Sequence, residues 1–383
     1  GDGYYYGRDL NGDGDMLDRV GGTDPSQTKT RRYMILSSLA YEINPLHRVR
    51  LAFTYDRARH RQTGETGLLQ LNGEPMDVFP VNDPLETSDG FVLQKRNRLS
   101  YAILTQLSGE YSGKFLDERL NVVLGVRAPW FKRELNNYCF TTSAAGFLDC
   151  VGPDDEAAYA AANPYSYDPE TNQVTGLAPP QSRDLKYNKL LPNVGFVYEF
   201  TPQISAFTNY SKNLKVPSTD QLYDNFYFPA DAEEANARPE TTDNFDLGLR
   251  YRSGKVQAQL TGWYTKFKNR TASSYDPVLD QYITRNLGSV DRWGFDGSVA
   301  VRPTRALTFY VFGSYLNSEI KDDVVGGRCQ AGDVNDGADG CTAVGDLYFL
   351  DTAGNYESGM PEWTVGARAQ ATLGAFELGG QVK

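Results

Sequence analysis

In Asp9-x-Asn11-x-Asp13-Gly14-Asp15-x-x-Asp18, oxygen-bearing side chains alternate around a glycine, the spacing with which a loop wraps calcium. An EF-hand would add a glutamate at the place held by Val20. Two readings therefore stand: a Ca2+ site made by a single loop, or a solvated acidic turn. Asp333, Asn335, Asp336 and Asp339 repeat the pattern more weakly. The cysteines fall as two local pairs, Cys139 with Cys150 and Cys329 with Cys341, each in a polar stretch. Such short spacing with no neighbouring His points to two disulfide-pinned loops in an oxidising compartment rather than to zinc; four free thiols are the alternative.

Nothing comparable supports catalysis. The 383 residues include 2 histidines, His47 and His60. A nucleophile needs a base within hydrogen-bond reach, and only His60, met by a serine from another segment, would qualify. The chain is read as a non-enzyme, with no cofactor beyond the Ca2+ of the first loop. Its 38 Lys+Arg against 49 Asp+Glu give a net charge of −11. With no basic block to neutralise phosphates, nucleic acid is not an expected partner.

The elements that must position these residues are strands. From Asn244 to Arg252, Phe245, Leu247, Leu249 and Tyr251 alternate with polar residues, and Val256, Ala258 and Leu260 do the same after Ser253-Gly254, a hairpin turn. Equivalent runs cover 33–41, 49–55, 99–107, 122–130, 194–200, 204–210, 293–301, 307–315, 363–373 and 376–382, which makes twelve strands. Short turns at Asn44-Pro45, Gly113–Glu118, Thr201-Pro202, Ser253-Gly254, Pro303-Thr304 and Gly374-Ala375 alternate with long polar stretches at 1–31, 63–90, 137–183, 213–240, 271–281 and 320–358. That alternation predicts an antiparallel up-and-down meander with all short turns at one rim. No apolar run approaches the roughly 18 residues of a membrane helix, but a membrane barrel needs only half-apolar strands.

The second face of the strands decides between a soluble sandwich and a barrel. It carries Arg50, Asp56, Arg98, Glu110, Arg127, Asp246, Arg250, Asp296 and Arg368, costly in a closed core and suited to a wet lumen. The predicted fold is therefore all-β, a transmembrane antiparallel β-barrel. The long-loop rim should then capture a ligand. Tyr223, Asp224, Asn225, Phe226, Tyr227 and Phe228 form its richest cluster, followed by Tyr138, Phe140 and Phe147 beside the first cysteines. Exposed rings suit stacking on a sugar or a catecholate; packing of loop on loop is the alternative. Arg57, Arg59, His60 and Arg61 top one strand, either to attract an anionic ligand or lipopolysaccharide phosphate, or as a solvated charged rim.

Three stretches carry a resemblance. They are Ser211-Lys212-Asn213-Leu214-Lys215-Val216-Pro217-Ser218 with Gln221-Leu222-Tyr223; Pro239-Glu240-Thr241-Thr242-Asp243-Asn244-Phe245-Asp246-Leu247-Gly248-Leu249-Arg250-Tyr251; and Asn286-Leu287-Gly288-Ser289-Val290-Asp291-Arg292-Trp293-Gly294. From residue 4 onward the chain resembles the barrel of TonB-dependent outer-membrane receptors. The resemblance implies that residues 1–383 are one partial barrel domain, about twelve strands of a barrel of about 22 with a plugged lumen. It implies a plug domain and TonB box outside this chain, and active import of a scarce bulky ligand: a ferric siderophore, cobalamin (a vitamin) or an oligosaccharide. The partners it implies are that ligand, the TonB complex through the N-terminal region, and outer-membrane lipid and lipopolysaccharide. The place is the cell outer membrane of a Gram-negative bacterium and the state a monomer. A passive porin or adhesin barrel is the rival reading.

Overall fold

The structure, a computed structural model, describes residues 9, 14, 20–169, 173–232, 235, 237–276, 281–329, 332, 334 and 340–383. One 13-stranded antiparallel sheet dominates it. Its strands are β1 (Gln27–Asn44), β2 (His47–Glu65), β3 (Gln94–Phe115), β4 (Leu120–Asn137), β5 (Gln181–Asn188), β6 (Leu191–Thr201), β7 (Ile204–Lys215), β8 (Glu240–Arg252), β9 (Val256–Lys268), β10 (Val290–Thr304), β11 (Leu307–Ile320), β12 (Trp363–Leu373) and β13 (Phe376–Val382). Each pairs with its neighbours in chain order, except that β5 and β6 run in series along β4, Asn188 opposite Trp130 and Leu191 opposite Arg127. They act as one interrupted strand, so the sheet has the twelve strand positions that the alternation predicts. It is an open meander whose edges, β1 and β13, are not paired with each other.

The hydrophobic effect is arranged inside out. The outer face bears Leu247, Leu249, Leu260, Val311 and Val365, each more than half exposed. The buried apolar side chains lie almost wholly at the long-loop end: Leu93, Leu135, Cys139, Phe140, Leu222, Tyr223, Phe226, Val290 and Ile320. A water-soluble protein would not leave so continuous an apolar band open.

Aromatic residues bound that band. Tyr210, Phe245, Tyr264 and Trp293 stand directly opposite one another on β7 to β10, and Tyr315 on β11, diagonal to Trp293, stands opposite Trp363 on β12. Ring centroids lie 4.8 Å apart for Tyr210–Phe245, 6.4 Å for Phe245–Tyr264, 5.5 Å for Trp293–Tyr315 and 4.8 Å for Tyr315–Trp363. A sparser second row near the short turns includes Tyr251, Phe309 and Phe376. The rows are about six residues apart, or about 20 Å along the strand, on the scale of the apolar band of a membrane barrel, about 25 Å tall. β2 has 19 residues and β3 has 22, against the roughly 9–11 that span a bilayer. Their surplus extends beyond the girdle on the long-loop side.

Three features depart from the sequence reading. Pro303 and Thr304 end β10, and the turn there is Arg305-Ala306. The Ser253-Gly254 linker is a three-residue turn, Ser253 to Lys255, in which the Ser253 hydroxyl accepts from Val256 N at 3.0 Å. Two short helices that strand periodicity does not reveal, α1 (Glu156–Ala162) and α2 (Thr219–Asp224), sit in the long loops.

Candidate functional site

α2 begins where the chain signals it. Ser218 caps Gln221 N through its hydroxyl, and the Gln221 side chain returns to Ser218 N at 3.1 Å, a capping box encoded by Ser-x-x-Gln. The helix and the 3₁₀ turn Asn225–Tyr227 carry the loop between β7 and β8 onto the inner faces of β3, β4 and β5. Tyr223 and Phe226, both 0% exposed, pack with Leu222 and Leu135. The Tyr223 hydroxyl lies 2.8 Å from Ser100 Oγ on β3 and donates to Asn136 O on β4 at 3.2 Å.

Two arginines clamp the loop. Arg98, 2% exposed, lies with its guanidinium 4.4 Å from the Tyr223 ring centre and donates to Gly146 O at 3.1 Å. Gly146 belongs to the loop that the Cys139–Cys150 disulfide closes. Its φ of +75° favours a residue without Cβ, and a Cβ there would displace the Asp224 carboxylate. Arg183 on β5 sits 4.5 Å from the Phe226 ring and donates to Asn225 O at 3.0 Å and to Phe228 O. The two aromatic clusters, about eighty residues apart in the chain, thus form one assembly on the inner wall.

The structure divides the predicted ligand residues. Tyr223, Phe226 and Phe140 are not displayed for stacking. They are buried, Phe140 against Tyr159 at 5.0 Å, because a loop of this size needs its own core to hold a shape. Tyr138 and Phe147 are exposed, and Asp224, Asn225, Tyr227 and Phe228 are half-buried. Burial pushes the Asp224 carboxyl up to about 6; Arg98 and Arg96 oppose the shift and Asp220 adds to it. Since its ordinary value is 3.8, this group favours docking fully below that pH, and the contribution is lost as pH rises through about 6. Amides of 219–228 are expected to be several-fold better protected from hydrogen exchange near pH 5 than near pH 7.5, after correction for intrinsic rates. Asp224→Asn should remove that difference, and an unchanged difference in the variant would refute the assignment.

A second assembly lies across the wall, where sequence reading named no site. Glu357, from the loop between β11 and β12, is 6% exposed. It pairs with Arg270 at 3.2 Å and with Arg292, and accepts from Ser318 Oγ at 3.1 Å. Arg270 also pairs with Glu240 at 3.1 Å. Both guanidiniums lie 4.8 Å from the Phe267 ring centre. Strand parity puts Glu240, Phe267, Arg292 and Ser318 on one face and so signals part of this network. Nothing distinguishes Glu357 within its polar loop.

The other predicted residues can be placed briefly. Cys329 bonds Cys341, as Cys139 bonds Cys150. In the acidic first loop, Gly14 N donates to Asp9 Oδ2 at 3.0 Å, while Asn11, Asp13, Asp15 and Asp18 lie outside the described residues, as do Asp333, Asn335, Asp336 and Asp339. His60 meets Thr30 Oγ1 at 2.7 Å and His47 meets the Tyr111 hydroxyl at 2.7 Å. His60 shares the inner face with Ser100, its partner in register, so it does not join Arg57, Arg59 and Arg61 on the outer face.

The comparisons agree with this architecture. The ferric citrate transporter FecA in its unliganded form superposes with a TM-score of 0.58 at 14% identity, covering 94% of this chain and 42% of that one. The siderophore receptor PiuA from Acinetobacter baumannii gives 0.56 at 14%, covering 92% and 46%. A double mutant of the Serratia marcescens hemophore receptor HasR, in complex with HasA and heme, gives 0.54 at 15%, covering 93% and 51%. The chain therefore spans about half or less of the length of these structures. The family model described as TonB dependent receptor-like, beta-barrel, matches residues 1–382. The chain belongs to the TonB-dependent receptor β-barrel family.

Proposed function

We propose that the intact protein is an outer-membrane receptor that imports a scarce, bulky ligand with energy delivered through TonB. The observation that carries this reading is the mass of long-loop structure seated on the inner wall at one end of a barrel sheet of this family. A passive pore needs a clear lumen; a capture device needs shaped, loop-borne surface there. Tyr138, Phe147, Asn225, Tyr227 and Phe228 are the proposed ligand contacts, with Tyr223, Phe226 and Phe140 as the packing that holds them. Flat exposed rings suit a ferric siderophore, cobalamin or an oligosaccharide. The similar structures, which include a ferric citrate transporter and a siderophore receptor, support the first class.

Planar bilayers provide the test. The intact receptor, purified from outer membranes, is expected to insert without passing current. Steady ohmic conductance with no energy source would identify a passive porin and overturn the proposal.

A further inference from the structure

Three buried side chains on the inner wall hold the capture loops. Gln62 on β2, Arg98 on β3 and Asn137 on β4 stand in one row, each directly opposite the next. They are 4%, 2% and 2% exposed. Each commits one end to a different piece of loop. Gln62 Nε2 donates to Asp220 Oδ1 in α2 at 3.0 Å. Arg98 donates to Gly146 O at 3.1 Å. Asn137 Nδ2 donates to Cys139 O at 2.9 Å and to Thr141 Oγ1 at 3.1 Å. The row thus ties the wall both to the α2 loop and to the loop closed by the first disulfide.

A second polar atom of each side chain is left over. Gln62 Oε1, Arg98 Nε and Asn137 Oδ1 are buried and make no hydrogen bond among the described residues. Turning either amide over is no remedy: the Gln62 oxygen would then face the Asp220 carboxylate, and the Asn137 oxygen would face Cys139 O. Neighbouring strands lie about 4.8 Å apart, so two acceptors flank one donor on the same face of the wall.

Buried polar groups are rarely left unpaired, and the inventory here fixes the chemistry of the partner. One N–H needs an acceptor, and two amide oxygens need donors. A monovalent cation would satisfy the oxygens and repel the guanidinium. Chloride would satisfy the guanidinium and be repelled by the oxygens, and ammonium cannot accept. Water accepts once and donates twice, and about three hydrogen bonds are what a buried water makes.

We propose that one water molecule is a built-in part of this interface, accepting from Arg98 Nε and donating to Gln62 Oε1 and Asn137 Oδ1. It joins three separate ties into one, so the α2 loop and the disulfide loop dock and release together. Phe147 on one loop is thereby kept in place relative to Tyr227 and Phe228 on the other. The inference concerns how these residues are held and not which ligand is imported.

A crystal structure of the intact receptor, at a resolution that shows ordered solvent, tests the site directly. Density for one water is expected within about 2.7–3.2 Å of all three atoms. A direct bond between Gln62 Oε1 and Arg98 Nε, with no such density, would overturn the proposal. So would an anomalous peak at the site after a rubidium or a bromide soak, which would identify a cation or an anion instead. Hydrogen exchange tests the shared role. Gln62→Met and Asn137→Leu should each speed opening of amides 219–228. Because either change empties the site, the double variant should fall at least about fivefold short of the product of the two single effects. Single effects that multiply in full would show that the two oxygens act separately, and the proposal would fail.

Discussion

Tyr223→Ala is expected to release the loop between β7 and β8 from the inner wall. The ring is 0% exposed, packs on Phe226 at 5.1 Å between centroids, and lies beneath the Arg98 guanidinium. Deleting a buried aromatic ring costs about 3–5 kcal/mol. Here the loss extends further, because Ser100 Oγ and Asn136 O lose a partner, and an unpaired buried polar group costs about 1–3 kcal/mol. The strands do not depend on the loop, so the full penalty falls on docking. Loop opening should become at least a hundredfold more frequent at about 1.4 kcal/mol per tenfold. Hydrogen exchange of amides 219–228 in the intact receptor measures this directly, with the heat-resistant mobility of the barrel unchanged. Tyr223→Phe keeps the ring and should cost only the hydroxyl's share. Exchange in Tyr223→Ala equal to the parent's would show that the ring does not hold the loop. Loss of ligand affinity should follow opening, since Tyr227 and Phe228 are carried by the same segment.

The strand order and both faces of the sheet were legible because a lipid-facing strand must alternate, and alternation is local. Arg50, Asp56, Arg98 and the other inward residues fall on the inner face, and Phe245, Tyr264, Trp293 and Tyr315 align outside, as period two requires. The site was less legible, for a physical reason. A run such as Tyr223 to Phe228 signals a large apolar surface but not which side of it meets solvent. That depends on partners far off in the chain: Arg98 and Leu135 bury one side and leave Tyr227 and Phe228 half-open. α2 was readable in principle from its capping box, but six residues give too little periodicity to outweigh the strands around them. Parity also separates His60 from Arg57, Arg59 and Arg61, which adjacency in the chain merges. Glu357 shows the limit: an acid in a polar loop acquires its role only when the fold brings Arg270 and Arg292 to it.

Glu357→Ala should undock the loop between β11 and β12. Breaking a buried ion pair by removing one partner costs about 3–5 kcal/mol, since a charge remains buried without its counter-charge. Arg292 is the group so stranded; Arg270 retains Glu240. The amides to follow are those of the hydrogen bonds Gly354 N to Ile320 O, 2.7 Å, and Ile320 N to Asn355 O, 2.9 Å. Adding Arg292→Gln to Glu357→Gln should restore part of the protection, because removing both members leaves no unpaired charge. If the double variant opens as readily as the single one, the network is incidental to docking. The pH response distinguishes this loop from the one bearing Asp224. Burial alone would push the Glu357 carboxyl up, but hydrogen bonds from Arg292 and Ser318 and the charges of Arg292 and Arg270 outweigh it and hold the group below its usual range. A depressed carboxyl contributes stability above its ordinary value, 4.5, and loses it as pH falls through the lowered one. The Asp224 loop should therefore tighten as pH falls through about 6, and this loop should loosen only as pH falls below 4.5. Loosening of the Asp224 loop between about pH 7 and pH 5, or tightening of the Glu357 loop below 4.5, would contradict the geometry that sets the two carboxyls in opposite directions.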